Sequence, residues 1–157
     1  MNFYEQIKKD IIKTLRTNPT FHTLHFLDTT ADLRPNVFNT AKPIGVVSIL
    51  SVQNVKAQSF CDDFLVEQML TVEYHLKPDV HNSDWESRLN LVQAKIIDTI
   101  EKAKKDGTLF SPNIDVELHF EKASVGQLKK QEIKEKIFSK ATVVQYKITY
   151  DLGKVIE

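Results

Sequence analysis

The chain has 157 residues, a length that suits one domain with a single hydrophobic core. Its 21 basic and 21 acidic side chains give a formal charge of zero, which excludes the overall basic character of a typical nucleic-acid-binding domain. Cys61 is the one cysteine, so an intrachain disulfide and a multi-cysteine zinc site are also excluded, and a reducing compartment is expected.

The charge is unevenly distributed along the chain. Residues 1–59 carry seven basic and four acidic side chains, residues 60–121 carry six and thirteen, and residues 122–157 carry eight and four. The middle is therefore acidic and both flanks are basic. In a compact fold this distribution favours two surfaces of opposite sign, and hence head-to-tail self-association. The alternative is that the charges are scattered and cancel locally.

The first predicted element is an amphipathic helix that ends before Pro19. Its apolar side chains recur every four residues, at Phe3, Ile7, Ile11 and Leu15. Residues 21–28 then predict a short strand. Residues 29–43 contain two prolines and no apolar period, which predicts a long loop, and such loops in small domains are often functional or ordered by a partner. No uncharged apolar stretch approaches the roughly 20 residues of a membrane span, so a soluble, unexported protein is expected.

Two strands and a long helix are predicted next. Residues 44–52 are apolar on both faces, as in an interior strand. Residues 64–76 alternate apolar and polar side chains, which predicts a long strand with one buried face and one polar face. A capping box of Ser83 and Glu86 then begins a helix over about 83–105, with Gly107 just beyond its end.

The chain closes with two strands and a lysine-rich segment between them. Residues 114–121 and 142–152 alternate apolar and polar side chains. Residues 122–140 carry six lysines and two glutamates and are predicted as a long, partly helical loop. The order of elements predicts a single α+β domain over residues 1–157, with a mainly antiparallel sheet of four to five strands and two helices packed on one face.

The polar face of this sheet is the strongest candidate for a chemical site. Glu73 and His75 share it on one strand, and Glu117 and His119 share it on another. Should these side chains converge, they would form a pocket of the kind that a small α+β enzyme or ligand-binding domain uses. No H-E-x-x-H or comparable spacing supports a metal site, and the alternative is that both histidines are solvated surface residues.

The sequence lacks several common catalytic and binding motifs. Its four glycines form no G-x-x-x-x-G-K-[ST], G-x-G-x-x-G or G-x-S-x-G motif, so neither a phosphate-binding loop nor a serine nucleophile elbow is predicted. The P-D pair at Asp79 and the E-x-K at Glu132 are more than fifty residues apart, with a helix between them, which argues against a nuclease. His22 and His25 point to opposite faces of one predicted strand and would not share an ion. No catalytic residue, metal or cofactor is predicted.

The order and size of the elements carry a resemblance that covers most of the chain. The features are the opening helix "FYEQIKKDIIKTL", the long strand "FLVEQMLTVEYHL", the following helix "SDWESRLNLVQAKIIDTIEKA", and the two closing strands. In these features the chain resembles the tail terminator, or tail completion, proteins of long-tailed bacteriophages. The resemblance lies in element order and domain size, and no diagnostic motif accompanies it.

The resemblance implies a structural virion protein without catalytic activity. Members of this family form a ring, usually a hexamer, on the end of the tail tube, stop tube polymerisation and join the tail to the head connector. The implied partners are further copies of the chain, the tail tube protein, the connector proteins and, non-specifically, the DNA that passes through the lumen, without a membrane. The implied location is the tail-neck region of the virion, after assembly in the host cytoplasm. A related connector ring that is not the terminator would share these features.

Two long segments, 29–43 and 122–140, have no predicted role inside a monomer. They are therefore the candidate contacts with the tube, the connector or a neighbouring copy, unless both are plain surface loops. Lysines of the second segment would contact phosphates without reading base sequence if they face the lumen. The candidate interface residues are Arg34, Phe38, Lys129, Lys130 and Lys134.

Overall fold

The computed structural model describes residues 2–28, 42–57, 64–76, 84–130 and 136–156. These residues form a two-layer α+β structure, as predicted, in which one sheet is covered by two long helices. The elements, in chain order, are α1 (Phe3–Leu15), β1 (His25–Leu27), β2 (Ile44–Ala57), β3 (Phe64–Leu76), α2 (Trp85–Asp106), β4 (Glu117–Lys130), β5 (Lys136–Asp151) and a short α3 (Gly153–Ile156).

The five described strands lie in the order β1-β2-β3-β5-β4. Three of the four pairings are antiparallel, and only β1 pairs parallel, along the first three residues of β2. The sheet is therefore mainly antiparallel, as predicted, with β3 at its centre. Val72 in β3, for example, lies between Val47 in β2 and Val144 in β5.

Local sequence signals account for the start of α1 and the end of α2. Asn2 and Glu5 form a capping box at the start of α1, where Asn2 Oδ1 accepts from the Glu5 amide at 2.8 Å. α2 ends where predicted, at Gly107, whose φ of 72° is left-handed. Ser83, the first residue of the predicted capping box for α2, lies outside the described residues, and Asp84 makes no capping bond with its side chain.

Both helices pack on the same face of the sheet. Their buried apolar side chains are Ile7, Ile11 and Leu15 in α1, and Leu89, Val92, Ile96 and Ile100 in α2. These side chains form one core with alternate residues of β3 and β5, such as Leu70 and Tyr146. α1 lies over β2, and α2 lies over β5 and β4. Among the helices that the structure describes, none is long and apolar enough to cross a membrane.

The prediction of a loop over residues 122–140 is wrong for the part of it that is described. Residues 122–130 continue β4, and residues 136–140 begin β5. The two strands form an antiparallel hairpin whose last described pair is Lys130 opposite Lys136. The prediction failed because a β-bulge follows Phe120 and shifts the apolar alternation by one residue, so the strand pattern is interrupted at residue 121.

The hairpin of β4 and β5 reaches beyond the other described strands. The last pair between β3 and β5 is Leu76 opposite Lys140. From there β5 and β4 stay paired out to Lys136, four residues further along β5 and about 13 Å at the usual rise per strand residue. The projecting part of the hairpin therefore consists of residues 128–130 and 136–139.

Candidate functional site

The predicted interface residues fall partly within the described structure. Lys129 and Lys130 are the last two residues of β4, at register positions opposite Ile137 and Lys136. They therefore belong to the projecting hairpin. Three further members of the set lie outside the described residues, namely Arg34, Phe38 and Lys134. So do residues 29–41 of the first predicted loop, Cys61, Asp79 and Glu132.

The sheet face opposite the helices contains a buried chain of hydrogen bonds. His75 lies at its centre, with Nε2 2.9 Å from Glu73 Oε1 and Nδ1 2.7 Å from Ser139 Oγ. Thr71 Oγ1 donates to Glu73 Oε2 at 3.3 Å and lies 2.6 Å from Ser48 Oγ. The chain thus links β2, β3 and β5 through side chains alone.

The expectation that Glu73 and His75 lie on a solvated face is wrong. His75 and Ser139 are 0% exposed, and Glu73 is 5% exposed. The cross-strand neighbours of these residues are buried as well, including Val46 opposite Glu73 and Ala141 opposite His75, and Ser139, Glu73 and Thr71 supply hydrogen-bond partners for the polar atoms.

This chain of side chains does not form an accessible catalytic centre. A serine, an imidazole and a carboxylate in line resemble a nucleophile, its base and an orienting group. However, Ser139 and His75 are both 0% exposed, so neither the hydroxyl nor the ring is accessible to a substrate. The arrangement instead fixes the register of three strands, because a slip of one residue would leave buried polar groups unpaired.

The second pair of predicted site residues lies elsewhere in the sheet. His119 Nε2 is 3.3 Å from Glu117 Oε2 on the edge strand β4, and both side chains are at least half exposed. Through Thr149, Glu117 aligns with Glu67 of β3, which is six residues from Glu73, or about 20 Å along the strand. The two Glu–His pairs do not converge, so this geometry does not favour the enzyme or ligand-binding alternative. In the described parts of the chain, no three His, Cys, Asp or Glu side chains are grouped to hold a metal ion.

His22 also differs from its prediction. It follows a short 3₁₀ turn over Pro19–Phe21 and precedes β1, so His22 and His25 do not share a strand. The predicted strand over residues 21–28 is accordingly reduced to His25–Leu27. The turn forms because Pro19 favours a helical start and the Asn18 side chain accepts from the Thr20 amide at 3.0 Å.

A groove of about 780 Å³ lies between α1 and the C-terminal half of α2. Asp10 is buried at its base, where it accepts from Gln6 Nε2 at 2.8 Å, from the Ser111 amide at 2.9 Å and from Ser111 Oγ at 3.0 Å. These hydrogen bonds satisfy the Asp10 carboxylate and connect α1 to the segment after α2. The rims combine lysines with aspartates, so the groove has no single charge preference.

Two long edges of the sheet are open among the described residues. β1 covers β2 only along Ile44, Gly45 and Val46, which leaves the remainder of that side of β2 without a described neighbour. On the opposite side of the sheet, β4 is an edge strand along all fourteen of its residues. Three of the five exposed large apolar side chains in the described structure lie on these strands, namely Leu50, Val55 and Phe120.

Comparison with known proteins adds no family to this geometry. Neither a protein-family model nor a curated protein matches the sequence. The accessible features of the described structure are therefore the open edges, the projecting hairpin and the exposed charges. Unpaired strand edges are templates for pairing with another chain, and natural proteins usually cover or blunt them.

Proposed function

We propose that the protein is a structural assembly protein of the phage tail terminator kind. In this role, copies of the chain form a closed ring on the end of the tail tube, stop its polymerisation and join it to the head connector. The observation that supports the proposal is that the two outer edges of the sheet are unlike and, among the described residues, largely without a neighbouring strand, because a ring is built from one surface of a copy against a different surface of the next.

The architecture supports a structural role in a second way. The helices cover one face of the sheet, and the hairpin of β4 and β5 projects about 13 Å beyond the other described strands. Such a projection is suited to a contact with the tube or the connector, and Lys129 and Lys130 lie in its described part. If the hairpin faces the lumen, its lysines add a salt-sensitive, non-specific contact with DNA phosphates.

The same features suit a connector ring other than the terminator. The effect of the protein on the length of the tail tube distinguishes the two. A terminator added to polymerising tail tube protein should give short tubes with one ring at an end, seen by negative-stain electron microscopy. A connector ring of another kind should leave tube length unchanged. In either case no catalytic activity is part of the proposed function, and assembly in the host cytoplasm followed by incorporation at the tail neck is the proposed location.

The mass of the purified protein in solution is the first test. Light scattering across concentration should show a ring-sized species that weakens as salt rises, because exposed charges contribute to association. Charge reversal of Lys129 and Lys130 to glutamate should impair tube binding while leaving the circular dichroism spectrum of the monomer unchanged. If the protein stayed monomeric at every concentration and had no effect on tube length, the proposed function would be wrong.

A further inference from the structure

We infer that the groove between α1 and α2 is a binding site for a short zwitterionic peptide, with a free ammonium group at one end and a free carboxylate at the other. The volume of the groove, about 780 Å³, lies in the range of small-molecule sites in proteins. Its lining comes from α1, α2 and the segments that follow them, and none of the described strands contributes to it. The inference therefore does not rest on the proposed ring.

Hydrogen bonds fix both ends of the groove. At one end Asp10 accepts from the Ser111 amide at 2.9 Å, and at the other Asn18 Nδ2 donates to Thr99 Oγ1 at 3.2 Å. Asp10 and Asn18 are eight residues apart in the chain, which corresponds to roughly 12 Å at the helical rise per residue. The groove is therefore preformed, and its length accommodates two or three residues of an extended peptide at about 3.5 Å per residue.

The base of the groove contains a hydroxyl group without a partner. Thr14 lines the groove and is only 8% exposed. Its carbonyl oxygen accepts from Thr17 Oγ1 at 2.7 Å, but its own hydroxyl makes no hydrogen bond with any residue that the structure describes. Buried polar groups usually have a partner, and a hydroxyl both donates and accepts. The amide or carbonyl group of a bound peptide would supply the partner that Thr14 lacks.

Charged side chains of both signs line the walls of the groove. Lys13 comes from α1, and Asp98, Lys102 and Asp106 come from α2. Within the described parts of the chain, none of these side chains forms an ion pair. The charges on α2 alternate every four residues, or about 6 Å along the helix axis. The ends of an extended dipeptide, roughly 7 Å apart, fit this spacing, whereas the two charged groups of a single amino acid are bonded to one carbon atom.

The groove also has an apolar part, next to the segment after α2. Leu109 is buried there, Phe110 is half-buried, and Pro112 completes the lining. An apolar side chain of the peptide would lose contact with water against these residues. A polyanion fits the site less well, because Asp98 and Asp106 would repel it. The combination of opposite charges, a free hydroxyl and an apolar wall therefore favours a peptide with charged ends.

Titration of the full chain with alanylleucine and with alanylserine tests the inference. Backbone amide signals in two-dimensional NMR spectra should shift at groove residues, including Thr14 and Lys102. The shifts should saturate with a Kd of about 1 mM, because a small ligand in an open groove gains little free energy. The control ligand is N-acetylalanylleucinamide, which keeps the body of the peptide and lacks both charges. It should bind about tenfold more weakly.

Two variants test the contacts within the groove. Lys102→Gln removes a positive charge from the wall, and Thr14→Val removes the hydroxyl from the base while keeping the shape of the side chain. Each should weaken binding of alanylleucine by about threefold to tenfold. Lys105→Gln is the matched control, because Lys105 is an exposed lysine of α2 that does not line the groove, and it should bind as the wild type does. The dispersion of the amide signals shows whether each variant is folded, and the exposed position of Lys102 keeps the test valid if Thr14→Val is not.

The outcomes distinguish a peptide site from a surface groove without a ligand. Saturable shifts confined to the groove, weaker with the uncharged control ligand and in Lys102→Gln, support the site. Three results would overturn it: no shifts with either dipeptide at tens of millimolar, shifts scattered over the whole surface, or equal binding of the charged and uncharged peptides. None of these results bears on the proposed ring, which light scattering and tube length test separately.

Discussion

Nε2 of His75 lies 2.9 Å from Oε1 of Glu73, two residues away on the same face of β3, and both side chains are buried. Removing either partner leaves the other in an enclosed site without this bond. We expect Glu73→Ala and His75→Ala each to lower the free energy of unfolding by about 3 kcal/mol. The remaining partner stays buried and loses the hydrogen bond that offset the cost of removing it from water. Urea unfolding followed by circular dichroism measures the change.

The chain contains its own control for this prediction. Glu117 and His119 have the same two-residue spacing and lie 3.3 Å apart, but their side chains are 76% and 50% exposed. Glu117→Ala and His119→Ala should therefore change the free energy of unfolding of the monomer by less than about 0.5 kcal/mol. Equal losses at the two pairs would show that burial is not what makes the Glu73–His75 contact important.

Asp10 provides a second test, on the connection between α1 and the segment after α2. Its carboxylate accepts from Gln6 and from both the amide and the hydroxyl of Ser111. Asp10→Ala should lower the free energy of unfolding by about 2 kcal/mol, because it leaves these part-buried donors without their acceptor. Ser111→Ala removes only the hydroxyl bond and should cost about half as much. A Ser111→Ala variant as unstable as Asp10→Ala would contradict this account.

Regular periods made most of the fold predictable from sequence. The four-residue spacing of Ile7, Ile11 and Leu15 places them all in the core, and α1 ends at Leu15, ahead of Pro19. Gly107 adopts the left-handed conformation expected at the end of α2. Such signals are local, because they depend on neighbours within a few residues along the chain. The order of the strands depends instead on distant partners, and no local period encodes it.

The sequence did not predict the projecting hairpin, because two features obscure the alternation of apolar and polar side chains along β4 and β5. Apolar side chains occupy even positions up to Phe120 and odd positions from Ala123, on either side of the bulge. In β5, Lys140 and Thr142 occupy positions on the helix side, where apolar residues are expected. Lys140 is tolerated there because its Nζ lies 5.1 Å from the centre of the Trp85 ring.

The candidate site was only half predictable for a related reason. Alternation along β3 correctly placed Glu73 and His75 on the same face, opposite to Val72. It carried no information on whether that face is covered. Ser139, which lies 2.7 Å from the ring of His75, is 64 residues away in sequence, so their contact follows only from the pairing of β3 with β5.

Gly45 allows a test of how closely β1 approaches the rest of the sheet. A Cβ at this position would lie 2.7 Å from the ring of Phe26 and 2.8 Å from Leu24. Gly45→Ala should therefore push β1 from β2 and cost about 1–3 kcal/mol of unfolding free energy, as overpacking does. Gly126→Ala is the control, since nothing lies within 4 Å of its added Cβ, and it should be neutral or slightly stabilising. Comparable losses in both variants would contradict the close approach.

Three tyrosines predict how stability depends on alkaline pH. Burial raises the pKa of Tyr74, Tyr146 and Tyr150 above the usual 10.0; the charge of Glu101 adds to the rise at Tyr146, and the hydrogen bond between Tyr150 and Tyr4 adds to it at Tyr150. The folded protein therefore keeps protons that the unfolded chain releases from about pH 10 upward, so the free energy of unfolding should fall as pH rises beyond that value. Urea unfolding between about pH 8 and pH 11 measures this fall.

Tyr146→Phe separates this effect from general alkaline damage. The hydroxyl of Tyr146 is buried without a hydrogen-bond partner in the described structure. Its removal should leave stability at neutral pH unchanged or raise it by up to about 1 kcal/mol, because an unsatisfied polar group is lost from the core. The variant should also lose less stability above pH 10, since one of the shifted groups no longer titrates. If ultraviolet absorbance showed all four tyrosines of the folded protein ionising together near pH 10, as in urea, the proposed shifts would be refuted.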